Sequence, residues 1–590
     1  NFSIFHAFST LDEVRVAFAV ALLCHLCLLI GYRTRLFAIA TFVIVTSMDN
    51  RLVMVENGGY VVVNLICGYA MFLPLERRFS VDAWLRSLRE RKERSIAELA
   101  ERHRPAWLTA PHVSVIGVLV LLNLAIVYFF NVVNKSGSIW KHGDTVHYVL
   151  WLNRMVTGVA VFFREVLPYP VTRVLTWSVL CVEAVLAPLI LAPHGRRITR
   201  PVAMVLLAGL HTTFGVMMRL GPFSWYLIGW SLLLLTPVQW EGLASVYRRR
   251  AAPRVVVVDR RSALGFHVAR VLSRVDHLDL LRFEESPPGE ADPPLFRVID
   301  EAAGRASVGV DAAREIAQAL PGGRYAFRAL ELGSFGLAGA ALRFAEAHRV
   351  GVARALGLGL GARGRAVVDA PSPLRQKTRK VLVVARESWL YWFAFCSVFG
   401  AVSDNKSVPL WLKPEKTPAV VHAMLGYPRT FQGWGMFAPN PITEDGTVVV
   451  DAITVDGRHV DPFTGKPPEL DLTKSDGLGL SQIRQDYFNR IRLDHNNHAR
   501  QGLHDWILAY PKRTGRAEDE IVAFDAYWVR DECPAPRESR PTKLEHIAIA
   551  TWRKPGYRPP PPLPPLPPEP RVESAEKKDV PGTNVATGKR

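Results

Sequence analysis

Residues 113–133 read VSVIGVLVLLNLAIVYFFNVV, an apolar run without a charged side chain. A helix needs about 20 apolar residues to cross a bilayer, because lipid offers no partners to polar backbone groups. Six more apolar blocks before Trp240 are candidate crossings: Val14–Ile30, Leu36–Ser47, Tyr60–Leu75, Val174–Ala192, Val202–Met218 and Phe223–Pro237. The sequence therefore predicts a multi-spanning α-helical membrane domain over residues 1–240, with about seven crossings.

Basic residues mark one side of these predicted crossings. Alternate connections are rich in Arg and Lys, namely Gly31–Arg35, Glu76–Arg104, Pro193–Arg200 and Glu241–Arg254. The connections between them carry fewer basic residues, so the basic side is predicted to be cytoplasmic. The basic residues behind the net charge of +18 are thus explained by their position on one side of the membrane, and we expect no nucleic-acid partner. The expected location is the inner membrane of a bacterium.

Two connections contain apolar residues of their own. Ser80–Arg104 is amphipathic and opens with a Ser80-Val-Asp cap, which predicts either a helix along the lipid headgroups or a solvated connector. Val146–Phe163 is interrupted by Asn153 and Arg154, and we interpret it as an interfacial or re-entrant helix. The six cysteines are dispersed and indicate no disulfide framework.

Five motifs follow one another before residue 240. They are Gly31-Tyr-Arg-Thr-Arg-Leu-Phe, Asn57-Gly-Gly-Tyr, Phe72-Leu-Pro-Leu-Glu-Arg-Arg-Phe-Ser-Val-Asp-Ala-Trp-Leu85, Ile126-Val-Tyr-Phe-Phe with Asn134-Lys135 and Trp140, and His211 with Gly221-Pro-Phe. Together they resemble the HTTM family, the membrane domain shared with vitamin K-dependent gamma-carboxylase. The resemblance implies that a reduced quinone of the vitamin K type is deprotonated, reacts with oxygen and becomes a base strong enough to take a carbon-bound proton.

The resemblance implies that Lys135 is the side-chain base of the first proton transfer. Burial and the nearby Lys141 would depress its pKa, whereas the alternative is a lysine that snorkels at a helix end. His211 lies within an apolar span, where a polar residue is costly, and we expect it to line the catalytic pocket beside Lys135. A histidine bonded to a neighbouring helix is the alternative. Glu183, also within a span, is a possible partner of either residue.

Asn57, Tyr60 and Trp140 belong to the matching motifs and are further pocket candidates. The family has a histidine where this chain reads Glu56-Asn57-Gly58-Gly59-Tyr60, so one polar group of the family pattern is absent. Two hypotheses follow. One is a carboxylase-like membrane enzyme that uses a reduced quinone and a protein or small-molecule substrate, without a metal. The other is a non-enzymatic membrane protein that binds lipid or quinone or helps to assemble a partner.

Residues 254–360 are predicted to form a cytoplasmic α/β domain. Arg254–Asp259, Gly265–Val275 and Leu278–Phe283 read as a strand, a helix and a strand, a βαβ-type start that the helical patterns Asp311–Ala319 and Leu337–Leu356 would complete. The pattern resembles the DCC family of thioredoxin-like proteins, which place a CxxC motif at the strand-to-helix turn. Ser262 and Gly265 occupy the two cysteine positions here. We therefore expect a scaffold or docking module without redox chemistry.

The remainder is predicted to comprise a basic linker (361–380), a further membrane or interfacial helix (381–402), a β-rich domain (403–556) and a Pro-rich disordered tail (557–590). Thr447–Thr454 and Arg458–Val460 alternate around Asp456-Gly457 and predict a hairpin. Ile521–Val529 and His546–Trp552 read as further strands. The segment Phe431-Gln-Gly-Trp-Gly-Met-Phe-Ala-Pro-Asn-Pro441 resembles a region that follows many HTTM-like domains. The chain opens with Asn1 rather than Met, and we expect it to begin inside a longer protein.

Overall fold

The computed structural model describes residues 2–91, 93–101, 112–250, 253–259, 261–290, 292–301, 303–333, 337–359, 373–471, 481–538 and 544–558. These residues fall into two compact units. The first unit comprises Asn1–Val448, Glu469–Arg500 and Trp528–Ile547, and the second comprises Val449–Pro468, Gln501–Tyr527 and Ala548–Arg590. Residues 361–372 of the predicted linker and residues 559–590 of the predicted tail lie outside the described residues.

The part of the chain before residue 250 is helical. Its helices are α1 (Leu11–Ile30), α2 (Thr34–Arg51), α3 (Gly58–Ala70), α4 (Val81–Glu90), α5 (Ile96–Ala100), α6 (Val115–Val133), α7 (Ser138–His142), α8 (Thr145–Leu150), α9 (Gly158–Val166), α10 (Tyr169–Leu191), α11 (Arg196–Met217), α12 (Phe223–Ser231) and α13 (Pro237–Arg250). Each of the seven apolar blocks thus lies largely within a helix: α1, α2, α3, α6, α10, α11 and α12.

A small α/β domain follows within the first unit. Its elements are β1 (Arg254–Val258), α14 (Ala263–Val275), β2 (Leu281–Glu285), β3 (Phe296–Asp300), β4 (Arg305–Val308), α15 (Gly309–Ala319), α16 (Gly323–Gly333), α17 (Leu337–Ala347) and α18 (Arg349–Ala355). The strand order is β2-β1-β3-β4, with β1 and β2 parallel and the other pairs antiparallel. Val256 pairs with Phe283 on one side and with Val298 on the other, which confirms the βαβ start.

The last part of the chain mixes helices with a second sheet. It contains α19 (Pro373–Asp404), α20 (Ala419–Gly426), β5 (Glu444–Thr454), β6 (His459–Val460), α21 (Gln482–Ile491), α22 (Arg500–Leu508), α23 (Tyr510–Thr514), β7 (Ile521–Glu532) and β8 (Glu545–Arg553). The strand order is β6-β5-β7-β8. The hairpin between β5 and β6 and the two later strands are confirmed. The helices between β6 and β7 were not predicted, because short polar helices lack a strong apolar period.

Five helices of the described chain are long and apolar enough to cross a membrane: α1, α6, α10, α11 and the Gln376–Asp404 part of α19. Half of the apolar window of α6 is buried, against 6% of that of α1. Helix α6 therefore lies in the core, and α1 keeps its apolar side chains exposed, as a helix that faces lipid does. Helix α3 and residues Phe223–Leu234 are shorter apolar helices. The count of seven crossings and the assignment of sides stay predictions.

The predicted amphipathic helix over Ser80–Arg104 is wrong in its extent and its surroundings. The chain forms α4 and α5 instead, and Ile96 and Leu99 of α5 are buried in the hydrophobic core of the α/β domain. Glu93, between the two helices, is buried and pairs with Arg270 and Arg274 of α14. Ile96 and Leu99 are thus covered by the α/β domain rather than by lipid headgroups or solvent.

Two other boundaries also differ from the predictions. Val146–Phe163 forms α8 and α9 rather than one helix, because Arg154 between them is buried with its guanidinium 3.6 Å from the carboxylate of Asp445. Helix α19 begins at Pro373, so residues 373–380 are helical and do not belong to a linker.

Candidate functional site

A cavity of about 810 Å³ lies among the helices of the first unit. Side chains of α6 to α12 line it, together with residues 57–59, residues 436–442 and one face of α21. Most of these side chains are apolar. A cavity of this size, with a few polar groups on an apolar wall, is typical of sites for small organic ligands, because the polar groups fix the orientation of the ligand.

Lys135 and Glu183 form a buried ion pair at the wall of this cavity. The Lys135 Nζ donates to Oε2 of Glu183, and each side chain is 3% exposed. The second carboxylate oxygen, Oε1, accepts a hydrogen bond of 2.7 Å from Nδ2 of Asn131. The Lys135 nitrogen also lies 4.6 Å from the centre of the Trp140 ring, where the negative face of the indole attracts a cation. Three of the predicted site residues are therefore neighbours.

The electrostatics of this pair follow from its burial. Removal from water lowers the pKa of the Lys135 ammonium, and the carboxylate of Glu183 opposes this shift. A buried pair of opposite charges persists only where further hydrogen bonds satisfy its atoms. Asn131 supplies one of these bonds. It precedes Lys135 by four residues, so the two side chains lie on the same side of the end of α6.

The turn after α6 is held by a segment some 300 residues away in sequence. Asn134 Nδ2 donates to Oδ1 of Asn405 at 2.9 Å and to the carbonyl oxygen of Trp434 at 2.6 Å. The backbone N–H of Ser407 donates to Oδ1 of Asn134 at 3.1 Å. The hydrogen bonds of Asn134 thus fix the position of the next residue, Lys135.

Gly137 fits the same segment because it has no side chain. Its N–H donates to the carbonyl oxygen of Pro439 at 3.0 Å, and a Cβ at this position would lie 1.9 Å from Oδ1 of Asn440. That oxygen accepts a hydrogen bond of 3.1 Å from the N–H of Ile139. The Trp140 indole N–H donates to the carbonyl oxygen of Phe437 at 2.7 Å. Residues 437–440 therefore hold the turn that carries Lys135 and Trp140.

One face of α21 adds a polar strip to the cavity wall. Gln482, Gln485, Asp486 and Asn489 follow the i, i+3, i+4, i+7 spacing of one helix face, and all four line the cavity. Asn57 Nδ2 donates to Oδ2 of Asp486 at 2.8 Å, so the predicted pocket residue Asn57 is part of this strip.

Asp486 is the titratable group of the strip. Burial raises its pKa to about 6. Arg490, one turn further along α21, donates to the backbone carbonyl oxygens of Val53 and Glu56. Within the described part of the chain, Asp486 has no ion-pair partner.

The structure places two predicted residues away from the cavity wall. His211 is buried in α11, where its Nε2 lies 2.6 Å from the Tyr128 hydroxyl of α6. Its ring packs edge-on against Phe214 and Phe223, which do line the cavity. His211 thus lies behind the wall and bonds to a neighbouring helix, which is the alternative that the sequence left open. Its Nδ1 is buried without a partner among the described residues. Tyr60 does not line the described cavity either.

Ser262 and Gly265, which the resemblance aligns with a CxxC motif, have structural roles. The Ser262 hydroxyl caps α14 by accepting a hydrogen bond of 3.1 Å from the N–H of Gly265. A Cβ at Gly265 would lie 2.8 Å from the carbonyl oxygen of Leu295. A side chain at this position therefore requires the neighbouring backbone to move.

Comparison of the chain with family models, with curated proteins and with solved structures found no match.

Three residues of the site were not predicted from the sequence: Asn131, Asn440 and Asp486. A signal existed for Asn131, because it is a polar residue in an apolar run, four positions before a candidate base. The other two lie more than 300 residues from Lys135. Asn440 belongs to the motif Phe431–Pro441, which assigns it no role, and no local pattern distinguishes Asp486 from a surface residue.

Proposed function

We propose that this chain is a membrane enzyme that binds a reduced quinone in the cavity and uses the Lys135–Glu183 pair to accept a proton from it. The observation that carries the proposal is a buried pair of ionisable side chains at the wall of a largely apolar cavity. An ion pair is costly to bury, so its position beside a cavity favours a role in chemistry over a role in stability.

The lining fits the chemical class of a quinone. The apolar side chains of α9, α10 and α11 would cover an aromatic ring and an isoprenoid chain. The pair and Asn131 would meet the oxygen atoms of the ring. When bound, a reduced quinone would supply an acidic hydroxyl and, with oxygen, the strong base that the resemblance to the carboxylases implies.

The pair can accept a proton without a change in its own geometry. Lys135 and Glu183 together are neutral, whether the ammonium faces a carboxylate or the amine faces a carboxylic acid. A further proton at Lys135 Nζ or at Glu183 Oε2 makes the pair cationic, and this charge stabilises a negative charge that forms beside it. Asn131 keeps Oε1 of Glu183 in place during this transfer.

A turnover experiment tests the proposal. The full chain is purified in detergent, its bound lipids are extracted and searched for quinones by mass spectrometry, and oxidation of added reduced vitamin K is followed by absorbance. We expect Lys135→Ala to lose at least about a hundredfold in turnover, since a positioned base contributes about 10²–10⁴. The matched control is Lys141→Ala, because Lys141 is exposed and close in sequence but, contrary to the expectation from the sequence, is not among the groups that shift the pKa of Lys135. Equal turnover in wild type and Lys135→Ala would contradict the proposal.

The second candidate is a non-enzymatic quinone-binding protein. The substitution of the family's histidine favours it, since the chain reads Asn57 in that segment and the Asn57 side chain is engaged with Asp486. The same purification separates the two candidates. A protein that carries quinone but oxidises none of the added reduced form, with or without Lys135, is a binding protein.

A further inference from the structure

A short segment after α19 carries three exposed apolar side chains. Pro409 precedes a single 3-10 turn formed by Leu410, Trp411 and Leu412, and we name these four residues the apolar turn. The last three are 87%, 81% and 50% exposed in that order. Trp411 is more exposed than any other tryptophan in the described part of the chain, where Trp225 comes next at 53%. Three consecutive large apolar side chains are costly to expose to water, so their exposure needs an explanation.

The apolar turn lies beside the ends of two helices of membrane-spanning length. Asn134 follows α6 and Asn405 follows α19, and both helices are long and apolar enough to cross a bilayer. Because Nδ2 of Asn134 donates to Oδ1 of Asn405 at 2.9 Å, the two helices end at the same level. The N–H of Ser407 bonds to the same side chain, and Leu410 is three residues further on, which is a reach of at most about 10 Å. The apolar turn therefore lies close to the level at which the hydrocarbon layer ends.

The residues around the apolar turn suit a lipid surface. Lys406 and Lys416 are exposed and Lys413 is half-buried, and these three lysines outnumber the two carboxylates of the segment, Asp404 and Glu415. Tryptophan and lysine are typical of membrane interfaces, because the indole ring has an apolar body and a polar edge. A lysine side chain can lie along apolar surface while its ammonium group stays among the phosphates. The segment thus combines an apolar tip with cationic flanks.

The protein holds the apolar turn at its first end. Val408, the residue before it, packs against the hydrophobic core of the first unit, whereas the apolar turn itself stays exposed. We propose that the apolar turn inserts into a phospholipid leaflet at the boundary between headgroups and acyl chains. Through the hydrogen bonds of Asn134, the inserted turn also fixes the depth of Lys135 in the membrane. This inference does not depend on the proposed function.

Photolabelling of the wild-type chain tests the insertion. The full chain is placed in nanodiscs of phosphatidylcholine and phosphatidylglycerol that contain a phospholipid with a diazirine group early in its acyl chain. After illumination, mass spectrometry assigns the adducts to residues. Leu29 of α1, 77% exposed, is the reference for contact with lipid, and Tyr325 of the α/β domain, 67% exposed, is the reference for exposure outside it. We expect at least about tenfold more adduct on the apolar turn than on Tyr325, because the label stays within the bilayer.

A double variant shows whether the apolar side chains cause the labelling. In Leu410→Gln with Trp411→Gln, adducts over residues 407–416 should fall to the level of Tyr325, while Leu29 keeps its own level. An unchanged level would mean that the segment lies near lipid without inserting, which would overturn the inference. Adducts on the wild-type turn no more frequent than on Tyr325 would overturn it as well. Cross-links between two chains at Lys406 would then assign the apolar turn to a second copy of the protein, and full oxidation of Trp411 by hydroxyl radicals would assign it to water.

Discussion

Replacement of Lys135 by methionine should destabilise the protein strongly. The unbranched methionine side chain fills most of the space of the lysine but removes the charge. Glu183, 3% exposed, then keeps Asn131 as its hydrogen-bond donor among the described residues. Loss of one partner of a buried ion pair costs about 3–5 kcal/mol, because the remaining charge stays out of water. We expect Lys135→Met to lose stability in this range.

A second substitution identifies the cause. In Lys135→Met with Glu183→Gln, the remaining side chain is neutral and Asn131 can still donate to it, so most of the lost stability should return. Equilibrium unfolding in mixed micelles, followed by tryptophan fluorescence, measures both variants against wild type. A single variant as stable as wild type would refute this reasoning. A double variant no more stable than the single one would refute it equally, because the loss would then come from packing rather than from an unpaired charge.

Three further outcomes follow from the structure. Gly137→Ala should lower the thermal unfolding midpoint and reduce the proposed quinol oxidation, because its Cβ would lie 1.9 Å from Oδ1 of Asn440. Wild-type values in both measurements would contradict this contact. Asp486→Asn should become more stable relative to wild type as pH rises from about 4 to about 6. In wild type the raised pKa of Asp486 makes burial of its carboxylate increasingly costly across that interval, and the asparagine carries no charge. A stability difference in thermal unfolding that does not change with pH would exclude this. Glu93→Gln should lower the unfolding midpoint, because the buried guanidinium groups of Arg270 and Arg274 lose the carboxylate that they pair with. Glu101→Gln, at an exposed position, should leave the midpoint unchanged.

Much of the fold could be predicted because its signals are local. The apolar run Val113–Val133 becomes α6 almost unchanged, and the Asp456-Gly457 pair forms the expected hairpin turn. The error at Ser80–Arg104 has a physical cause. An amphipathic pattern shows that the apolar face of a helix will be buried, but it does not show what buries it. Here Ile96 and Leu99 are buried in the core of the α/β domain rather than in lipid.

The candidate site could be predicted only in part. The sequence offers Glu183 as a partner of Lys135 or of His211 but does not choose between them, because the choice depends on how the helices are rotated about their axes. Asn134 stood in a recognised motif without a role, and its contacts with Asn405 show that it anchors the turn. Contacts over such sequence separations arise from packing, and a single sequence carries no local trace of them.

Asn131 and His211 show why a polar residue within an apolar helix is not a sufficient indication of a site. Each makes one hydrogen bond to a neighbouring helix, and each keeps one buried ring or amide atom without a partner among the described residues. The cost of burying them is therefore comparable. The difference is that Phe214 and Phe223 separate His211 from the cavity, whereas Asn131 lines it. The unpartnered atoms of both residues are closed off from the cavity, so an unsatisfied polar atom does not separate a site residue from a structural one. The partner does: Asn131 bonds to Glu183 of the ion pair at the cavity wall, whereas His211 bonds to the Tyr128 hydroxyl behind that wall.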